Sequence, residues 1–82
     1  VSYNEMSLFP NPSQDKLTLH MSHPAIGLRI YNSLGQEVKY IAVKNSDRRI
    51  EIDIHEFPEG IYFVSVVGEN NEQGITKKFI KY

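Results

Sequence analysis

Three histidines, ten carboxylates and a scatter of serines are the raw material for chemistry in this 82-residue chain. Spacing decides what they can do. His20 lies in an alternating, strand-like segment and His23 in the turn before Pro24, so the two rings do not aim at one metal ion. His55 stands beside Asp53 and Glu56. Asp47, Glu51, Asp53, Glu56 and Glu59 offer the oxygen ligands that calcium takes, but Glu51 and Asp53 alternate outward, as on a solvated strand face. No serine sits in a sharp strand-to-helix elbow. Exposed carboxylates such as Glu51 and Asp53 lack the burial that turns a carboxyl into a general acid at neutral pH. The expectation is therefore a chain with no catalytic, metal-binding or cofactor-binding residues, which is not an enzyme on its own.

Binding chemistry is equally restrained. The glycines (Gly27, Gly35, Gly60, Gly68, Gly74) are dispersed, and none forms a Gly-rich phosphate loop opening a helix. The net charge is −1, with both signs interspersed, so nothing directs the chain to nucleic acid or to a membrane surface. Tyr31, Tyr40 and Tyr62 are more simply read as core and cross-strand packing than as stacking platforms. With no cysteine, neither a disulfide nor a thiolate metal site supports the fold. No apolar run approaches the roughly 20 residues of a membrane-spanning helix. The chain opens on Val1 rather than Met, which reads as a cut within something longer.

What positions these residues is a succession of short alternating segments. The most apolar stretch is Phe57–Val67. It opens on Pro58-Glu59-Gly60 and continues as a strand rich in β-branched and aromatic residues. Tyr62, Val64 and Val66 share one face, with Ile61, Phe63 and Val67 on the other, so this strand belongs in the middle of a sheet. Pro58 fixes φ ahead of the turn, and Gly60 supplies the positive φ that a sharp entry into the strand needs. Before it, Val1–Phe9 makes a first strand, and Pro10-Asn11-Pro12-Ser13-Gln14-Asp15 breaks regular structure. Lys16–Met21 then alternates with Leu17, Leu19 and Met21 inward, and Ser22-His23-Pro24 turns. Ile26–Tyr31 and Gln36–Val43 form a hairpin about the tight turn Asn32-Ser33-Leu34-Gly35. Lys44–Arg48 is a polar connection, and Arg49–Ile54 alternates three isoleucines with Glu51 and Asp53. His55-Glu56-Phe57 forms a short helical or 3₁₀ turn that drops Phe57 over the end of the core. Gly68–Gly74 is a polar hairpin loop before the last strand, Ile75–Lys81. That strand has Phe79 and Ile80 as its apolar content and Lys77, Lys78 and Lys81 as its charges.

About seven short strands with no helical period predict an all-β fold, a sandwich or small barrel, as one domain over residues 1–82. Residues 1–7 read as the end of a linker. A basic last strand guards a sheet edge against strangers, and it is also what a receptor grips by strand addition or by charge. Such an edge is equally able to pair with a second copy.

Four of these segments together resemble a known family. Leu8-Phe9-Pro10-Asn11-Pro12 followed by Lys16-Leu17-Thr18-Leu19 is similar to the opening of the type A C-terminal sorting domains of the Bacteroidetes type IX secretion system. Leu28-Arg29-Ile30-Tyr31-Asn32 with Gly35 and Val38 resembles that family's second motif. Ile52-Asp53-Ile54 with Gly60-Ile61-Tyr62 resembles its third, and Lys77-Lys78-Phe79-Ile80-Lys81 its basic ending. Phe9 stands where Tyr is common and Phe57 where Leu is common, and both stay apolar. The resemblance implies an immunoglobulin-like β-sandwich of about seven antiparallel strands at the end of an exported protein. It would be read in the periplasm by the outer-membrane translocon and usually removed by a cell-surface sortase. The cargo, an N-terminal domain of the same polypeptide, would end at the surface or outside the cell. Carried over by position, the motif residues are Pro10, Asn11, Pro12, Gly35, Gly60, Tyr62, Lys77 and Lys78. Gly35 and Gly60 are expected at turns, Tyr62 to pin a strand crossing through its hydroxyl, and Lys77 and Lys78 to contact a partner. The other reading is an immunoglobulin- or fibronectin-like accessory module of a surface enzyme, binding carbohydrate or protein, which calls for coplanar exposed aromatics on one sheet face.

Overall fold

A computed structural model describes residues 6–9, 15–21, 25–44, 48–68 and 73–82. Its strands are β1 (Met6–Phe9), β2 (Lys16–Met21), β3 (Gly27–Asn32), β4 (Glu37–Ala42), β5 (Arg49–Asp53), β6 (Gly60–Val67) and β7 (Gln73–Lys81). No helix occurs among the described residues. The strands form two antiparallel sheets, a three-stranded one in the order β1-β2-β5 and a four-stranded one in the order β4-β3-β6-β7. This is the all-β, two-sheet arrangement of an immunoglobulin-like sandwich.

Alternation explains which side of each strand turns inward. Leu17, Leu19 and Met21 of β2, and Ile52 and Ile54 at β5, face Leu28 and Ile30 of β3, Tyr62 and Val64 of β6, and Phe79 of β7. All are buried, and each contributes about 1.5–3 kcal/mol by leaving water. The central position expected for β6 holds, since it lies between β3 and β7. The hairpin turn is closed locally. Asn32 Oδ1 accepts from the amides of Leu34 (2.9 Å) and Gln36 (3.0 Å), and Gly35 takes φ 83°.

Two expectations need correction. Gln73 and Gly74 lie in β7, not in a loop, because the β6–β7 ladder runs on past a register shift near Val66 to pair Val67 with Gln73. Along β7 the exposures of Ile80 and Lys81 are the reverse of their polarity. Phe79 points inward, so Ile80 must point out (40% exposed) and Lys81 in (8% exposed). The expected short turn at residues 55–57 is of the 3₁₀ type, closed by the Phe57 amide donating to the Ile54 carbonyl at 3.0 Å, and Phe57 packs against the core. Val1–Glu5, Pro10–Gln14, Ser22–Pro24, Asn45–Asp47 and Glu69–Glu72 lie outside the described residues.

Candidate functional site

The segment that crosses from the three-stranded to the four-stranded sheet, Ile54–Gly60, is held at both ends by backbone bonds. The Ile54 amide donates to the Asp15 carbonyl at 2.9 Å, anchoring the exit from β5 beside the start of β2. Asp53 Oδ1 accepts the His55 amide at 3.0 Å, an Asx turn that bends the chain out of the sheet. Gly60 re-enters the second sheet at φ 151°, a conformation that side-chain-bearing residues rarely adopt. Two residues on, Tyr62 turns inward and its hydroxyl donates to the Pro58 carbonyl at 2.6 Å. The ring lies between Phe57 (centroids 5.1 Å apart) and Phe79 (5.4 Å, nearly parallel). Burial pushes the Tyr62 hydroxyl above the usual tyrosine range, because the phenolate would have to lose its water. A buried aromatic whose one polar atom is satisfied four residues upstream is a latch on the crossover.

The basic edge is built differently. β7 is an outermost strand, and its period of two sends Lys77 and Lys78 to opposite faces. Lys78 pairs with Phe63 on the outer face of the sheet, whereas Lys77 pairs with Val64 on the face of the core. Both are exposed. A charge on the inner face of an edge strand obstructs strand addition there, because any added strand would have to accommodate it. Of the anticipated motif residues, Gly60 and Tyr62 meet at the crossover and β7 passes beside Tyr62 through Phe79. Gly35 lies in the β3–β4 turn, and Pro10, Asn11 and Pro12 lie outside the described residues.

A family model described as a secretion system C-terminal sorting domain matches residues 7–82. The chain belongs to that family. Its domains are C-terminal secretion signals of the type IX system, and such a tail marks a protein for export to the cell surface or the extracellular space. The chain is also similar to Beta-agarase A of Zobellia galactanivorans, at 33% identity over 67 residues. That match covers 79% of this chain and 12% of the relative, so the sorting domain spans about an eighth of the protein it resembles. No solved structure matches it.

Two further features of the sorting domain escape a reading of its sequence. Gly27 packs beneath the ring of Tyr40, and a Cβ at this glycine would collide with that ring and its hydroxyl. Arg29 lies over the same ring, with its guanidinium carbon 5.9 Å from the centroid. Arg29 Nε is buried without a hydrogen-bond acceptor among the described residues, and the Glu37 carboxylate at 3.6 Å is within ion-pair reach but too distant for a hydrogen bond. Gly27 inside an alternating run hints at a close approach there, without naming Tyr40 as the partner. The second feature is an open cleft of about 210 Å³ lined by Lys39, Asp53, His55, Glu56 and Phe57, smaller than the pockets that enclose small ligands. No three His, Asp or Glu side chains converge on a metal position among the described residues, and Asp47 lies outside them.

Proposed function

We propose that this domain acts as a folded address label and performs no catalysis of its own. It is recognised in the periplasm by the outer-membrane type IX translocon while its N-terminal cargo follows, and a cell-surface sortase then removes it. The observation that carries this reading is the edge strand β7, which presents a lysine to each side of the sheet next to a latched crossover. A receptor can therefore contact a basic strand of fixed shape without rearranging the core. Lys77 and Lys78 are the partner-contacting residues of this proposal. Gly35, Gly60 and Tyr62 hold the frame, and Pro10, Asn11 and Pro12 complete the motif at the start of the domain.

The test is to place residues 1–82 behind a signal peptide and a reporter in a Bacteroidetes host. The reporter is expected outside the cell, and only when the translocon is intact. The Lys77→Glu/Lys78→Glu double variant is expected to retain the reporter in the periplasm with an unchanged melting curve of the isolated domain. Normal export of that variant refutes the role of the two lysines. Export that does not depend on the translocon refutes the label itself. A carbohydrate-binding role receives less support, because Tyr62 is buried, Tyr31 is half-buried and Tyr40, though 46% exposed, lies one row away from Tyr31 with its ring covering Gly27.

A further inference from the structure

The outer face of the four-stranded sheet combines apolar side chains with an ordered arrangement of charge. One row crosses all four strands in register: Glu37 on β4, Tyr31 on β3, Phe63 on β6 and Lys78 on β7. The Arg29–Glu37 ion pair independently places Glu37 on the Arg29 side of the sheet. Tyr31 and Phe63 are half-buried, and the next row adds Ile61 (44% exposed) paired with Ile80 (40% exposed). The row thus reads acid, aromatic, aromatic, base, and its midpoint falls between the two inner strands of the sheet.

We propose that this face is a self-association surface, on which two copies of the domain pack sheet to sheet about a two-fold axis running along the strands between β3 and β6. The charge order selects the axis. A rotation about the strand direction reverses the row while keeping its level, so Glu37 meets Lys78 of the partner subunit and Tyr31 meets Phe63 of the partner subunit, each contact occurring twice. A two-fold axis across the strands would place Glu37 on its own copy and Lys78 on its own copy, which like-charge repulsion disfavours. Sheets stack in this way about 10 Å apart with strands within about 30° of parallel. The footprint, four strands at about 4.8 Å spacing by some five residues at about 3.3 Å, belongs with small, weak interfaces. The association is therefore concentration-dependent and loosened by salt.

Within one chain Glu37 and Lys78 are three strand spacings apart, about 14 Å, so they cannot pair with each other. Glu37 also faces Arg29 of its own chain at 3.6 Å, so the diagnostic result is recovery on mixing, which a change confined to one chain would not give. Sedimentation equilibrium of the 82-residue chain up to about 1 mM is expected to show a reversible dimer. Glu37→Lys and Lys78→Glu, each checked for folding by circular dichroism and melting, should each weaken association at least tenfold, because every substitution acts twice in the symmetric pair. Mixing the two single variants should restore association to within about threefold of the original, since both interfacial pairs are then again opposite in sign. Three results would overturn the proposal: a chain that stays monomeric at 1 mM, a dimer indifferent to both substitutions, or single variants that weaken association but do not recover on mixing.

Discussion

On its solvent side the three-stranded sheet carries Ser7, His20 and Arg49 in one row and Phe9, Thr18 and Glu51 in the next. The four-stranded sheet turns Tyr40, Arg29, Ser65 and Thr76 outward in one row, Glu37, Tyr31, Phe63 and Lys78 in the next, and Ile61 with Ile80 beyond them. Both sheets bury aliphatic and aromatic side chains on the shared interior. They differ in what they leave outside. The first outer face is an ordinary solvated surface, whereas the second holds packed contacts of its own, with Ser65 fully buried there. An antiparallel sheet that covers one face needs only one apolar set of residues. The second apolar set on β6 is surplus to that requirement and is available for association.

The largest test of this contrast compares neighbouring strands of one sheet. Phe79 is fully buried and stacked on Tyr62, so Phe79→Ala should cost about 3–5 kcal/mol in denaturant unfolding. Phe63, half-buried on the outer face, should cost only about 1–1.5 kcal/mol on the same change, in proportion to its burial. Equal losses would mean that the outer face is as much core as the inner one. Next in size is Gly27→Ala. Its new methyl must displace the Tyr40 ring, with an expected loss of about 1–3 kcal/mol. In a Tyr40→Ser background the same change should cost far less, and additive losses in that double-mutant cycle would break the contact assigned to the pair.

The crossover latch sits between the two sheets and gives a smaller effect with a distinctive pH dependence. Tyr62→Phe removes the 2.6 Å bond to Pro58 and should lower stability by about 1 kcal/mol at neutral pH. The folded-state pKa of Tyr62 is raised by burial, so its contribution is fully present below the unfolded-state value of about 10 and is lost as pH rises past it. The gap between the native chain and Tyr62→Phe should therefore narrow above about pH 10, as measured by denaturant midpoints. A gap that widens there would contradict a buried, bonded hydroxyl.

How far the sequence disclosed this arrangement follows the same division. On β2 and β5 one face is apolar and the other polar, so period-two alternation identifies both the strand and its inward side without ambiguity. Tyr62 could be anticipated as a latch because a tyrosine soon after a Pro-x-Gly turn has a carbonyl within reach upstream. On β6 both faces are apolar, and alternation cannot say which is interior. The β3–β4 pairing was hidden for another reason. Counting back from the turn places Tyr40 opposite Leu28, but one extra residue, Val38, is accommodated near Tyr31 and moves Tyr40 opposite Arg29. A single inserted residue exchanges the faces that meet across the hairpin, so the Gly27–Tyr40–Arg29 stack depends on a bulge for which the sequence has no distinctive mark. On β7 composition was misleading and periodicity was the better guide. Ile80 and Lys81 take the sides that Phe79 dictates, against their own polarity.

The finest comparison sets one arginine on each outer face against the other. Arg49 lies over the Phe9 ring at 5.5 Å on the three-stranded sheet, and Arg29 over the Tyr40 ring at 5.9 Å on the four-stranded sheet. The two distances are nearly the same, so geometry alone would predict equal effects. Burial separates them. Arg49 is exposed, and Arg49→Ala should lose about 0.5 kcal/mol, the usual worth of a solvated cation over a ring. Arg29 is partly buried, lies over the ring that covers Gly27 and is paired across the sheet with the buried Ser65, so Arg29→Ala should lose about 1 kcal/mol through packing as well as charge. Raising ionic strength screens the first contact more than the second. The difference between the two variants should therefore grow in about 0.5 M salt, and equal losses at both salt concentrations would show that the two outer faces are energetically alike.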